Sequence, residues 1–137
     1  MSGDKALMAI MDPALIPVTR DHLDPHDRDL LLRFELLVDQ GLHDDAQDTA
    51  EELWLEANDA HKELFRGFSN ALTAVCAREA RQLRGAREIA RHTHAMLAPF
   101  PRNALGIDIE VLLRSVDAFV RRGEGPILIR AQGRDVG

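Results

Sequence analysis

Residues 47–54 read Gln-Asp-Thr-Ala-Glu-Glu-Leu-Trp, and this stretch decides the fold class of the chain. Acidic residues alternate in it with small apolar residues, a pattern that predicts an amphipathic helix. Its last residue, Trp54, is the only tryptophan in a chain that has no tyrosine. Because Trp54 is the largest apolar side chain present, we expect it to act as a packing wedge in the core between neighbouring helices.

Four more helices are predicted on either side of this stretch. Glycines, prolines and a capping residue at Asp59 bound the apolar patterns of helical spacing, which places the five helices over residues 27–40, 43–58, 60–82, 86–97 and 108–121. Gly41 is expected to end the first helix, and Gly85 to form the turn before the fourth. Short connections favour antiparallel neighbours. The sequence therefore predicts an all-α fold, a compact bundle of about five main helices with no sheet.

A chain of 137 residues is expected to form a single helical domain. Three prolines make residues 1–26 an N-terminal arm, and residues 27–121 form the helical core. Residues 122–137 form a C-terminal tail, in which the aliphatic run 127–129 can pack in an extended conformation.

Two features of the predicted helices concern their packing. Gly67 lies inside the third helix, where glycine costs about 1 kcal/mol relative to alanine, so we expect another helix to approach its backbone closely. The first and fifth helices are apolar on two sides, as Leu32 and Leu36 show for the first. A second apolar side indicates either a central position or an interface with another chain.

Composition narrows the expected compartment and partners. The single cysteine, Cys76, cannot form an internal disulfide, and no segment is long and apolar enough for a membrane span, so we expect a cytoplasmic protein without a membrane partner.

Charge is distributed unevenly along the chain. Residues 1–60 hold 15 acidic and 4 basic residues, whereas residues 61–137 hold 8 acidic and 13 basic residues. We expect the two halves to neutralise each other, within one chain or across a dimer. The net charge of −6 argues against a nucleic acid partner.

The order of the motifs resembles that of a known family. A glycine turn leads to a helix that ends in Glu51–Trp54, then to a helix with Gly67 inside it, a Gly-Ala pair at 85–86, a proline break, and Gly106–Asp108. This order is similar to that of the small, mostly bacterial proteins grouped as domain-of-unknown-function 309, over residues 30–119. The resemblance implies a compact multihelical bundle and no particular activity.

The chain departs from the family pattern at its polar positions. Where the family has a His-Glu pair, this chain has Gln47 and Asp48. Where the family commonly has two glutamines, this chain has Arg66 and Asn70. The usual histidine near the end of the same helix is missing, since Ala77 and Arg78 stand there. If those histidines bind metal or transfer protons, this chain lacks them. The motif around Trp54 is therefore expected to be structural here.

One candidate site surrounds Trp54. A ligand pocket there would be lined by Gln47, Glu51, Trp54, Arg66 and Asn70, with Glu51 as a half-buried carboxylate suited to general-base chemistry. The alternative is that Arg66 holds Glu51 in ordinary helix packing. We favour the alternative, because no other catalytic group accompanies Glu51.

A second candidate site is an arginine edge, made of residues that recur every three or four positions: Arg78, Arg81, Arg84, Arg87 and Arg91. The edge would bind an anion. Alternatively, its arginines favour the negative end of the third helix and pair with acidic side chains. No aromatic residue is interleaved, as single-strand binding would need, and we favour the second interpretation.

No catalytic or metal-binding pattern is recognised, and we expect no cofactor. His92 and His94 are two positions apart on a helix and point in opposite directions, and a single cysteine excludes a cysteine-type zinc site. A metal site in the loop that contains His22 remains an alternative. Cys76 lies on a buried stripe, where we expect an inert, protonated thiol.

These patterns favour a non-enzymatic interaction or scaffold module over an enzyme. We expect a homodimer formed through the first helix, the fifth helix or the N-terminal arm, with another protein as an alternative partner. Two hypotheses compete with this one: a small-ligand binder or enzyme at Glu51 and Trp54, and anion or nucleic acid binding along the arginine edge.

Overall fold

The computed structural model of the chain describes residues 12–131. Its helices are α1 (Pro25–Asp39), α2 (His43–Glu56), α3 (Asp59–Glu79), α4 (Leu83–Leu97) and α5 (Ile109–Arg122), and a 3₁₀ turn at Pro13–Leu15 precedes them. The predicted all-α bundle of five main helices is confirmed. The outer parts of the predicted arm and tail, residues 1–11 and 132–137, lie outside the described residues.

Helix α3 is the central element of the bundle. It packs against α2, α4 and α5, while α1 packs against α2 and α5 also packs against α4. Contacts between α2 and α3 run in opposite order along the two helices. His43 at the start of α2 contacts Glu79 at the end of α3, and Gln47, one turn later in α2, contacts Thr73, which comes earlier in α3. These two helices are therefore antiparallel, as their short connection predicts.

The middle of the core is built from phenylalanine. Phe34 of α1 and Phe65 and Phe68 of α3 are fully buried, and the ring of Phe34 stacks on that of Phe68 with centroids 5.7 Å apart. Trp54 is only partly buried and packs at the margin of this cluster. The expectation that Trp54 is the central wedge is therefore wrong. A phenyl ring has no polar atom and can be enclosed completely, whereas an indole has an N–H group that needs a partner or water.

The expected close approach over Gly67 is confirmed. A β-carbon added at Gly67 would lie 2.8 Å from Cγ of Leu97 and closer still to its Cδ2. Leu97 is the last residue of α4 and is 1% exposed. Glycine at this position therefore lets α4 contact the backbone of α3, and this packing offsets the low helix propensity of glycine.

Glycine ends two of the helices as predicted, but a third predicted glycine turn does not occur. Gly41 after α1 and Gly123 after α5 have φ of +74° and +82°, the left-handed conformation that ends many helices. The predicted turn at Gly85 is wrong, because Gly85 lies within the first turn of α4. The turn that ends α3 is formed instead by Arg81, whose φ is +63°. Only a few per cent of non-glycine residues adopt this conformation, so the sequence gives no signal for it.

The expectation of no sheet is wrong in one detail. Strands β1 (Asn103–Ala104) and β2 (Ile107–Asp108) pair antiparallel. Leu105 and Gly106 join them with φ of +52° and +82°, the two consecutive positive values of a type I′ hairpin turn. This conformation is unfavourable for leucine. The surrounding structure holds Leu105 in it, because the residue is fully buried and its N–H donates to the C=O of Pro17 at 2.9 Å.

The C-terminal tail covers the outer side of α5. Ile127 and Ile129 are buried, and the C=O of Ile129 accepts a hydrogen bond from the N–H of Asp108 at 2.8 Å. The hydroxyl of Ser115 on α5 accepts another from the N–H of Leu128 at 2.9 Å. The second apolar side of α5, which suggested an interface with another chain, is therefore occupied by the chain itself.

Candidate functional site

Trp54 lies on the surface side of α2 and faces two cations. The Nζ atom of Lys62 and the guanidinium carbon of Arg66 lie 5.9 and 5.8 Å from the ring centroid. Both distances fall within the range of cation–π attraction, which contributes about 0.5–1 kcal/mol at exposed sites. The accessible face of the indole therefore carries cationic side chains from α3.

Glu51 is exposed and is not paired with Arg66. The guanidinium of Arg66 instead lies 4.0 Å from the carboxylate of Glu63, one turn away on the same helix. The favoured interpretation, in which Arg66 tethers Glu51, is therefore wrong. Glu51 is also not half-buried, as the predicted pocket requires, because its side chain is in contact with solvent.

The remaining two predicted pocket residues face different helices. The amide of Gln47 donates to the hydroxyl of Thr73 on α3 at 2.8 Å. The amide of Asn70 donates to the hydroxyl of Thr93 on α4 at 2.9 Å and to the C=O of Ile89 at 3.2 Å. Both amides act in helix packing. The structure thus does not bring Gln47 and Asn70 together with Glu51 around one cavity.

Arg78 has a structural position at the end of α5. Its Nε donates to the C=O of Val120 at 2.8 Å, and its guanidinium covers Gly123, where an added β-carbon would lie 2.9 Å from Nη2. A cation near the C-terminus of a helix also interacts favourably with the helix dipole. Arg78 therefore caps α5 and does not line the predicted anion-binding edge.

The capping position of Arg78 predicts that replacing this residue lowers the stability of the protein. Arg78→Gln removes a charge-assisted hydrogen bond to a helix C-terminus and should lower the free energy of unfolding by about 1–2 kcal/mol. Urea denaturation followed by circular dichroism measures it. Arg91→Gln, at an exposed arginine that has no carboxylate partner among residues 12–131, is the control and should stay within about 0.5 kcal/mol of the wild type. Equal stability of the two variants would contradict the assignment.

The other four predicted arginines are exposed, and two of them lead to a groove. Arg81 and Arg84 lie at and just after the turn between α3 and α4, and Arg84, Arg87 and Arg91 follow one another along α4. Arg87 and Arg91 also line a groove of about 320 Å³ between α4 and α5. We call it the arginine groove; its other lining residues are Ala90, His94, Asp117, Val120 and Arg121.

A histidine–aspartate pair spans the arginine groove. Nε2 of His94 on α4 lies 2.8 Å from Oδ2 of Asp117 on α5. The sequence does not indicate this role for either residue, since His94 stands out in it only as a neighbour of His92. The pairing depends on how α5 packs against α4, and no spacing along the chain reveals that.

The acidic and basic halves of the chain stay largely apart. Within residues 12–131, the only ion pair that joins an acid of the first half to an arginine or lysine of the second is Glu35–Arg130. Helix α2 has five exposed carboxylates without a cation in salt-bridge range in this part of the chain: Asp44, Asp45, Asp48, Glu51 and Glu52. The expected neutralisation within one chain is therefore not found on these faces.

A buried carboxylate forms the most enclosed charged cluster of the described residues. Glu35 of α1 has a side chain that is 4% exposed, and Arg20 binds both of its oxygens, with Nη1 3.0 Å from Oε1 and Nη2 on Oε2. Nη2 of Arg130 lies 2.5 Å from Oε2. Arg20 also donates from Nε to the C=O of Leu105 at 2.7 Å. This Glu35 cluster ties the arm, α1, the hairpin turn and the tail together.

The sequence contains a partial signal for the Glu35 cluster. Glu35 falls on the same helical face as Leu31, Phe34 and Val38, where an acid must find a partner when it is buried. The partners lie 15 and 95 residues away along the chain. A position on the apolar face can therefore indicate a buried ion pair, but it cannot identify the arginines.

Two further polar pairs are packed between elements. Nε2 of His22 lies 2.7 Å from Nε2 of His61, which joins the arm to α3. The thiol of Cys76 is partly exposed and donates to Oδ1 of Asp44 at 3.0 Å. Burial, and then the neighbouring Asp44, raises the pKa of Cys76 to about 12. The thiol is therefore protonated and a poor nucleophile at neutral pH, as predicted.

No group of three or more potential metal ligands is clustered anywhere in the described range. Comparison of the sequence and structure with protein-family models, curated proteins and solved structures finds no match. Membership of the domain-of-unknown-function 309 family therefore stays a prediction that rests on the motifs quoted above.

Proposed function

We propose that the protein is a non-enzymatic interaction module that forms a homodimer through the outer side of α1 and the adjoining loops. The main support for this proposal is that exposed apolar side chains are concentrated in one part of the chain. Of the seven large apolar residues that are exposed in the described part of the chain, five fall between residues 15 and 42: Leu15, Val18, Leu32, Leu36 and Leu42.

Leu32 and Leu36 form the centre of the proposed interface. They lie one turn apart on the same face of α1, and each is 51% exposed. Covering the exposed half of one leucine contributes about 1 kcal/mol. In a two-fold symmetric dimer the two residues would occur twice, so they would contribute about 4 kcal/mol in total.

The other predicted interface, on α5, has less support. None of the seven exposed large apolar residues in the described part of the chain lies on α5, so this helix offers no comparable set of exposed apolar side chains to a second copy. The region around Trp54 likewise supports packing more than catalysis, because Glu51 is exposed and the amides of Gln47 and Asn70 are engaged by neighbouring helices.

The proposal keeps the cytoplasmic location predicted from the sequence. Among the helices of residues 12–131, none has the length and apolar character that a membrane span requires.

A paired substitution tests this interface. Leu32→Gln with Leu36→Gln should weaken dimerisation at least tenfold, because the contact surface becomes polar while the core is untouched. Sedimentation velocity over a range of concentrations measures the change, and circular dichroism checks that the variant is folded.

Leu55→Gln is the matched control for this test. Leu55 is a comparably exposed leucine, 60% accessible, on α2, and its replacement should leave the dimer unchanged. The proposed interface would be wrong if the control and the double variant dimerised equally well.

A further inference from the structure

The geometry points to a second function that goes beyond dimerisation: the arginine groove between α4 and α5 binds a small molecule that carries a phosphate group. The groove combines unpaired guanidinium groups at its rim, an apolar floor and a size suited to a small ligand. Each of these features is independent of the α1 surface.

The arginine groove carries an excess of positive charge. Three arginines and one carboxylate line the groove, so its formal charge is +2 when His94 is neutral and +3 when it is protonated. Arg87, Arg91 and Arg121 have no carboxylate within salt-bridge distance in the part of the chain that the structure describes. A local excess of cations on a chain with a net charge of −6 is a site where a dianion would relieve repulsion.

Arginines lie on both walls of the groove. Arg87 and Arg91 are one turn apart and so project from the same face of α4, while Arg121 reaches the groove from α5. A ligand in the groove is therefore approached from both walls. Each guanidinium offers paired N–H donors in a plane, the arrangement that matches two oxygens of one phosphate.

The histidine–aspartate pair reduces the repulsion that a phosphate would meet in the groove. Among the described residues, Asp117 is the only carboxylate that lines the groove, and it would repel a phosphate if it were free. Its Oδ2 lies 2.8 Å from Nε2 of His94, so part of its hydrogen-bonding capacity is directed away from the ligand. The same contact links α4 to α5 and thereby sets the spacing of the two walls. His94 and Asp117 are thus positioning residues.

The floor of the groove is apolar, and its volume suits a small ligand. Ala90 and Val120 are buried and present an apolar surface beneath the arginines. The volume of about 320 Å³ is at the lower end of the range for small-molecule sites. A phosphomonoester with a short organic group fits this combination of apolar floor and cationic rim.

Isothermal titration calorimetry on the full chain tests the proposal with glycerol 3-phosphate as the probe. Glycerol, which lacks the phosphate, is the control ligand. We expect saturable binding of one glycerol 3-phosphate per chain and no binding of glycerol. Arg87→Gln with Arg91→Gln should weaken the binding at least tenfold, and Arg121→Gln should weaken it separately. Arg28→Gln, at an exposed arginine on α1, should leave the affinity unchanged.

Flotation with phosphatidylcholine vesicles that contain phosphatidic acid distinguishes a soluble ligand from a lipid headgroup with the same phosphomonoester. Binding of glycerol 3-phosphate without flotation assigns the groove to a soluble molecule. Flotation that is lost in the double arginine variant assigns it to a headgroup. The proposal is overturned if neither probe binds, or if the double variant and Arg28→Gln bind alike. Dimerisation is measured separately, so failure here leaves the α1 interface untouched.

Discussion

Replacing Glu35 with glutamine should lower the free energy of unfolding by about 3 kcal/mol. The side chain of Glu35 is 4% exposed, and its carboxylate is bound by Arg20 and Arg130. Glutamine keeps the shape but removes the negative charge, which leaves two guanidinium groups without their counter-ion. The expected loss is at the lower end of the range for a broken buried pair, because Arg20 and Arg130 both retain some contact with water.

Urea denaturation of Glu35→Gln beside Glu63→Gln measures this effect. Glu63 is exposed and its nearest cation, Arg66, lies 4.0 Å away, so its loss should cost less than about 0.5 kcal/mol. A Glu35→Gln protein as stable as the Glu63→Gln protein would show that the Glu35 cluster does not hold the arm and tail to α1.

The same substitution at two helical glycines should have opposite effects on stability. Gly67→Ala places a β-carbon 2.8 Å from Cγ of Leu97, which is enclosed and cannot move freely. Overpacking of this kind costs about 1–3 kcal/mol, and the better helix propensity of alanine returns only about 1 kcal/mol. We therefore expect Gly67→Ala to destabilise the protein by up to about 2 kcal/mol.

Gly85→Ala is the matched control for Gly67→Ala. An added β-carbon at Gly85 meets only Cβ of Gln82, at 4.0 Å, so alanine should stabilise the protein by about 0.5 kcal/mol. Thermal and urea denaturation of both variants compare the two signs. In a Leu97→Ala background the cost of Gly67→Ala should fall, because the blocking side chain is gone. Equal effects of alanine at both glycines would refute the close approach of α4 to α3.

The sequence predicts the helices well because their signals are local. Apolar spacing and the glycines at 41 and 123 lie within a few residues of the features that they specify. Of the two turns that the sequence misses, the one at Leu105 has a non-local cause, because burial and the C=O of Pro17 hold Leu105 in a left-handed conformation. Arg81 adopts the same conformation in a turn closed by a local hydrogen bond, from the N–H of Gln82 to the C=O of Ala77 at 2.9 Å. Propensity alone does not place arginine or leucine there.

The candidate sites show the same division between local and non-local information. The run of arginines on α4 is visible in the sequence, but Arg78 caps α5 through Val120 and leaves the run. Arg121 and Asp117 join Arg91 at the groove only because α5 packs beside α4. Which arginines share a groove therefore depends on how the helices pack, which the spacing of residues along the chain does not encode.

Sedimentation equilibrium of the wild-type protein from low micromolar to millimolar concentration tests the proposed dimer most directly. The account predicts a mass that rises with concentration from that of one chain, 15.3 kDa, towards twice that value. A mass that stays at 15.3 kDa throughout the range would contradict it.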